Sequence, residues 1–409
     1  MTKSIVAAIF LVACSSATAS GAATLTTLVA FNETNGARPI GAPIVDAAGN
    51  VYGTTISGGA TGYGTVFKIS SGGAFTTLAT FDGSDGTGVY PFGGLTADGA
   101  GNLYGTTRGG SYSTYAGPNY GTVFKLAANG ALTTLATFTG GNGANPYGNL
   151  IRDAAGNLFG TTSTGGAAGG TVFKISNGGM FSTLATHTGS EGGLVSDSAG
   201  NLYGTSDGRG AVFKLAANGT LSTVVTLNGA SLHAGLTIDP AGNLYGTTYD
   251  GGTSGYGSIF KVSAASAFST LASFSAGTEG AYPYYGALIA DAAGNLYGTT
   301  KAGGTANAGT VFKLSNSGAL STLFSFTGGN VGADPLGGLA ADVAGNLYGT
   351  TYNSSANSGT VFKLSGTGFV VDRVGAIPES GTWALMIAGF GLTGVALRRR
   401  TSTLTEVSC

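Results

Sequence analysis

Residues Ala100–Thr107 read AGNLYGTT, and close copies of that stretch end at Thr55, Thr107, Thr162, Ser206, Thr248, Thr300 and Thr351. Successive copies lie 42 to 55 residues apart, a period that suits the blades of a propeller and exceeds the usual coil of a β-helix. An aspartate precedes each copy: Asp46, Asp98, Asp153, Asp197, Asp239, Asp291 and Asp342. A GTVFK-like stretch follows each, with its lysine at Lys68, Lys125, Lys174, Lys214, Lys261, Lys313 or Lys363.

One unit, PFGGLTADGAGNLYGTT…GTVFKLAANGALTTLATF, divides into four strand candidates: GGLTAD, NLYGTT, GTVFKL and ALTTLATF. Turn residues separate them, DGAGN after the first and ANG after the third. No stretch of the body carries a sustained helical period. Four strands repeated seven times predict an all-β chain, a seven-bladed β-propeller of four-stranded blades. The body opens with TLTTLVAF, Thr24 to Phe31, a fourth strand without its first three. Pairing it into the last blade, Gly337 to Leu364, closes the ring and removes an open edge. GFVVDRV, from Gly368, competes for the same place.

The composition fits such a body. Of 409 residues 76 are glycine and only 9% are charged, with a net charge of −1; nothing electrostatic points to nucleic acid or an anionic membrane. Residues 1–19 have the layout of a secretory signal, with Ala17-Thr18-Ala19 as a small-x-small cleavage site. LVAC, Leu11 to Cys14, resembles a lipobox, but a second anchor at the far end favours ordinary cleavage. Cys14 and Cys409 are the two cysteines, so the propeller, residues 24–374, has no disulfide.

The second anchor is IPESGTWALMIAGFGLTGVALRRR, residues 377–400, followed by a tail at 401–409. A polar motif with Pro378 and Glu379, an apolar run almost long enough to span a bilayer as a transmembrane helix, and Arg398, Arg399 and Arg400 follow in order. This order resembles the PEP-CTERM sorting signal of Gram-negative bacteria, with Ser380 where that pattern has a second proline. The resemblance implies an exosortase-type sorting enzyme as partner, membrane attachment before processing, and residence at the cell surface or in its exopolysaccharide-rich matrix.

Reactive constellations are sparse. The seven aspartates read as turn residues whose carboxylates accept backbone N–H groups two or three residues on, rather than as calcium ligands, since each turn has one carboxylate. Seven of nine lysines are locked to one repeat position, which suggests pairing with a neighbouring strand or blade, or stems lying over packed strands. Tyr52, Tyr104, Phe159, Tyr203, Tyr245, Tyr297 and Tyr348 read as blade-to-blade packing, each followed by a glycine that admits a close neighbour. His187 and His233 stand outside metal-ligand spacings, and Glu33, Glu191 and Glu279 each lie alone in a unit. The expectation is no enzyme, no catalytic residue, no metal and no cofactor. A polysaccharide-active enzyme stays as third reading, and it requires a carboxylate pair or an Arg/Tyr/His cluster at the channel mouth.

Connections after the second and fourth strands fall on one face and vary in length, where a rigid scaffold usually binds. They carry Tyr90, Tyr112, Tyr115, Tyr120, Tyr147, Tyr249, Tyr256, Tyr282, Tyr284 and Tyr285, with Arg108 beside them. Tyrosines among glycine and serine suit stacking on sugars or contact with proteins. Through GNLYGTT and GTVFK the body also resembles the GloVer tandem-repeat family of bacterial surface proteins. The expected function is therefore a secreted, surface-anchored, non-catalytic protein that binds extracellular polysaccharide or acts in the matrix, with a protein-binding scaffold second.

Overall fold

The computed structural model describes residues 23–83, 86–109, 120–206, 210–227 and 229–371. Among these residues twenty-eight strands, numbered β1 to β28 in chain order, form seven four-stranded sheets; the propeller is present with the blade count the repeats require. The signal segment, Tyr112, Tyr115, Pro378, Glu379 and Arg398 to Arg400 lie outside the described residues. Among the described residues no helix is long and apolar enough to cross a membrane.

The second blade shows how the repeat builds a sheet. Its strands β6 (Thr96–Ala97), β7 (Leu103–Thr107), β8 (Thr122–Leu126) and β9 (Leu132–Thr137) pair in sequence order, all antiparallel. The first strand is two residues long, shorter than the expected GGLTAD. Gly93 accounts for the difference, because a Cβ there would stand 2.9 Å from the carbonyl of Gly148 in the next blade. These backbones face the neighbouring blade instead of a ladder partner.

AGN is the turn that joins first and second strands. Asp98 Oδ1 accepts the N–H groups of Ala100 and Asn102 at 3.0 and 2.9 Å, two and four residues on. Its Oδ2 accepts Asn102 Nδ2 at 2.8 Å and the Tyr104 hydroxyl at 3.0 Å. Asn102 Oδ1 in turn accepts the N–H of Ala128 at 3.2 Å, tying this turn to the next hairpin turn. Burial raises the Asp98 carboxyl, but the donors outweigh it and hold it below the ordinary value. Protein donors thus occupy the oxygens that a cation would need.

Across the ladder Tyr104 faces Lys125, whose Nζ lies 5.8 Å from the ring centroid. All seven repeat lysines cap the ring of the preceding strand in this way. Gly105 admits the Phe124 ring opposite it, which would meet a Cβ at 2.5 Å. The close neighbour is therefore a cross-strand side chain of the same blade.

Apolar clusters fill every interface between successive blades. Ile44, Val66 and Phe81 of the first blade pack on Leu95, Leu103, Phe124 and Leu126 of the second, and Phe81 meets Phe124 edge-on at 5.1 Å. Ring closure repeats the pattern. β1 (Thr24–Ala30) pairs with β28 (Thr360–Ser365) from Thr24↔Ser365 to Ala30↔Thr360, and Phe31 packs on Phe67 of the first blade at 5.3 Å. GFVVDRV does not take that edge. Its described part crosses to the sixth blade, where Val370 O accepts the Ala292 N–H at 2.9 Å and Phe369 lies 5.0 Å from the Tyr297 ring. Both the start of β1 and this exit lie at the aspartate-turn end, hereafter the lower face.

Candidate functional site

The upper face carries the connections between second and third strands and those between blades. In five units the latter hold an X-Pro pair: Arg38-Pro39, Tyr90-Pro91, Asn145-Pro146, Tyr282-Pro283 and Asp334-Pro335. The residue before each proline has positive φ, from 52° at Asn145 to 62° at Tyr90, a conformation that costs non-glycine residues. Carbonyls of these residues accept the N–H of the residue after the second strand, as in Arg108 N–H to Tyr90 O at 3.0 Å and Tyr352 N–H to Asp334 O at 3.0 Å. The kinked chain then turns toward the axis.

Six residues before each repeat aspartate stands one residue per blade: Ile40, Phe92, Tyr147, Glu191, His233, Tyr285 and Leu336. Ile40, Phe92 and Leu336 bury together, with Tyr147, Tyr284 and Tyr285 packed against them. Phe92 meets Tyr147 at 4.5 Å and Tyr285 at 5.1 Å. Backbone closes in beneath them: Gly337 has no room for a Cβ, which would fall 2.1 Å from the carbonyl of Ile40. The result is an aromatic floor at the mouth of the central axis.

Two adjacent blades break the apolar ring. His233 Nδ1 and Glu191 Oε2 lie 2.6 Å apart, with the side chains 16% and 21% exposed. Tyr284 packs on the imidazole at 4.8 Å, Tyr249 at 5.4 Å. The Tyr285 hydroxyl donates to that of Tyr284 at 3.2 Å, and burial, then this neighbour and the Glu191 charge, push the Tyr285 hydroxyl far up, so it is a neutral phenol. Cations border the rings. The Arg108 guanidinium sits 4.6 Å from the Tyr147 centroid, Lys301 Nζ 5.7 Å from that of Tyr284, and Arg38 5.8 Å from that of Tyr352.

Of the expected binding residues, Arg108, Tyr147, Tyr249, Tyr284 and Tyr285 come together here. Tyr282 extends the set outward from Tyr249 at 5.1 Å, and Tyr256 follows at 5.5 Å. Tyr90 pairs with Tyr63 at 5.7 Å instead, and Tyr120 is exposed beside Gly140. Sequence reasoning passed over Glu191 and His233 because each lies alone in its unit. Aligning the units on their aspartates is the signal that finds them, since it places both at one repeat position in consecutive blades. His187 is different: it takes the place of Phe81, is 7% exposed, stacks on Phe213 at 5.0 Å and accepts the Gly189 N–H. Burial lowers its basicity and makes it a core residue.

The family model of the Gloeobacter/Verrucomicrobia repeat matches residues 13–208 and again 191–376. The chain belongs to that family. A comparison with curated proteins found no match. Among solved structures, the repeat protein is similar to virginiamycin B lyase from Staphylococcus aureus at 15% identity, with a TM-score of 0.58 over 84% of this chain and 98% of that one. A catalytically inactive form of that lyase with quinupristin gives a TM-score of 0.60 at 15% identity, over 84% and 99%. The extracellular domain of a putative hybrid two-component system from Bacteroides thetaiotaomicron is similar at 14% identity, TM-score 0.55, over 85% of this chain and 41% of that one. At such identities the likeness is one of fold, shared by enzymes and non-enzymes alike.

Proposed function

We propose that this repeat protein is a surface-held binding protein whose upper face takes up extracellular polysaccharide at the mouth of the axis. One observation carries the reading: Phe92, Tyr147, Tyr249, Tyr284 and Tyr285, from four blades, converge on one floor edged by Arg108, Lys301 and Arg38. Sugar rings present apolar C–H faces to aromatic rings and hydroxyls to polar edges. Exit of the chain on the lower face supports it too, because an anchor beyond residue 371 leaves the aromatic floor facing outward. The sorting-signal resemblance at Pro378, Glu379 and Arg398 to Arg400 accords with a cell-surface or matrix location.

Binding of the full-length protein to exopolysaccharide from its own source, measured by isothermal calorimetry, tests this reading. Saturable binding that weakens about fivefold or more in Tyr147→Ala supports it, whereas no binding by folded protein shifts the reading to a protein partner. An enzyme is the second reading, favoured by the Glu191–His233 pair, which a purely aromatic platform does not need.

A further inference from the structure

From the pair at the floor of the site, we infer that the protein cleaves uronate-containing polysaccharide by β-elimination, with His233 as general base. This inference rests on the polysaccharide-binding reading. Five of the seven residues in the axial ring are apolar or aromatic, and the two exceptions occupy neighbouring blades and touch each other. A departure from the repeat rule at the axis, with two ionisable groups only partly solvated, is where function is expected to override packing.

The geometry assigns the roles. Glu191 accepts the Nδ1–H of His233, which fixes the imidazole plane and makes Nε2 the basic nitrogen. Tyr284 packs against the imidazole and accepts a hydrogen bond from the Tyr285 hydroxyl, and as the phenol beside the base it serves as the acid. Lys301 lies over the Tyr284 ring, one side chain away from the base, where it can hold a substrate carboxylate. A sugar C5–H becomes acidic enough to lose only beside a carboxylate whose charge is neutralised, and this selects a uronate. Hydrolysis by two carboxylates fits less well. Among the described residues Glu191 is the sole acid of the axial ring, and Asp250, Asp334, Glu33 and Glu279 of the same face are bonded to Ser231, Asn353, Ser358 and Ser275.

In the step, Nε2 of His233 takes the C5 proton, the C5–H electron pair forms the C4=C5 double bond, and the C4–O glycosidic bond breaks. The leaving oxygen takes the proton of the Tyr284 hydroxyl. Water then carries the proton from the imidazolium to the tyrosinate, and both groups are restored. No water is consumed, nothing is oxidised or reduced, and one new chain end carries a conjugated, ultraviolet-absorbing unsaturated uronate.

Full-length protein is incubated with polymannuronate and with polygalacturonate, product is followed by ultraviolet absorbance, and binding of the same polymers and of neutral glycans is measured separately. Expected is steady formation of unsaturated product, lowered about 100-fold or more in His233→Gln and in Tyr284→Phe, with melting temperatures near that of the wild type. Glu191 acts through His233 as a positioning residue, so Glu191→Gln lowers kcat and leaves KM nearly unchanged. Polyuronate binding without unsaturated product overturns the catalytic inference and leaves the binding reading in place. Binding of neutral glycans alone overturns the uronate assignment, and binding of no glycan overturns both. Product formation undiminished in His233→Gln overturns the role of the base.

Discussion

Removing the turn carboxylate should cost different blades different amounts. Asp98 accepts four hydrogen bonds through its side chain, two from backbone and two from Asn102 and Tyr104. Asp153, in the third blade, accepts two, both from Asn157; Phe159 at the tyrosine position removes one donor, and the N–H two residues on does not bond the carboxylate. At roughly 1 kcal/mol per bond, less for those open to water, Asp98→Ala should lose about 2–4 kcal/mol and Asp153→Ala about 1–2 kcal/mol. With an unfolding entropy of roughly 2.1 cal/mol/K per residue over residues 23–371, these losses lower the melting temperature by about 3–6 °C and about 1–3 °C. Calorimetry and urea titration of the two variants measure the difference. Phe159→Tyr supplies the missing donor and should raise stability by about 0.5–1.5 kcal/mol, an effect that disappears in the Asp153→Ala background. Equal losses for the two aspartates, or no coupling between positions 153 and 159, would refute the hydrogen-bond reasoning.

Gly105→Ala puts a Cβ 2.5 Å from Phe124 Cζ in a fully packed interface, so a loss of about 1–3 kcal/mol is expected in urea titration. Phe31→Ala weakens closure between the last and first blades and should cost about 3–5 kcal/mol, with Phe369→Ala, on the lower face, costing less. Stability should fall in acid: burial raises Asp46, Asp98, Asp197, Asp239, Asp291 and Asp342, but their donors prevail and hold each below 3.8. Carboxyls depressed on folding contribute fully above about pH 4 and lose that contribution as pH drops below it, so melts recorded from about pH 5 to pH 2 should decline steeply. At the alkaline end, burial and then the aspartate push Tyr104 and Tyr245 up to about 12; their contribution is intact below the ordinary 10.0 and is lost between there and about 12.

Much of the architecture is legible in the chain because one structural unit is written seven times. The aspartate, AGN, the aromatic and the lysine each have one partner at a fixed offset, and that local wiring is visible as period. Closure by Thr24–Phe31 is legible for a similar reason, since an unpaired fourth strand implies an unpaired edge. The length of the first strand is not. It depends on how closely Gly93 and Gly148 approach between adjacent blades, a relation between residues of different repeats. The functional face shows the same division. Tyr147, Tyr249, Tyr284 and Tyr285 announce themselves by loop composition, whereas Glu191 and His233 become a pair only when consecutive blades bring them within 2.6 Å.

The most direct test of the account is glycan affinity at the axis against affinity away from it. Full-length protein, Tyr147→Ala, Tyr249→Ala and Tyr63→Ala are titrated with the same polyuronate by calorimetry, Tyr63 being an upper-face tyrosine paired with Tyr90 outside the axial floor. Loss of a stacking ring costs about 1–3 kcal/mol, roughly 5- to 150-fold in Kd. The account predicts that loss for Tyr147→Ala and Tyr249→Ala with Tyr63→Ala unchanged, and equal affinity in all four proteins would contradict it.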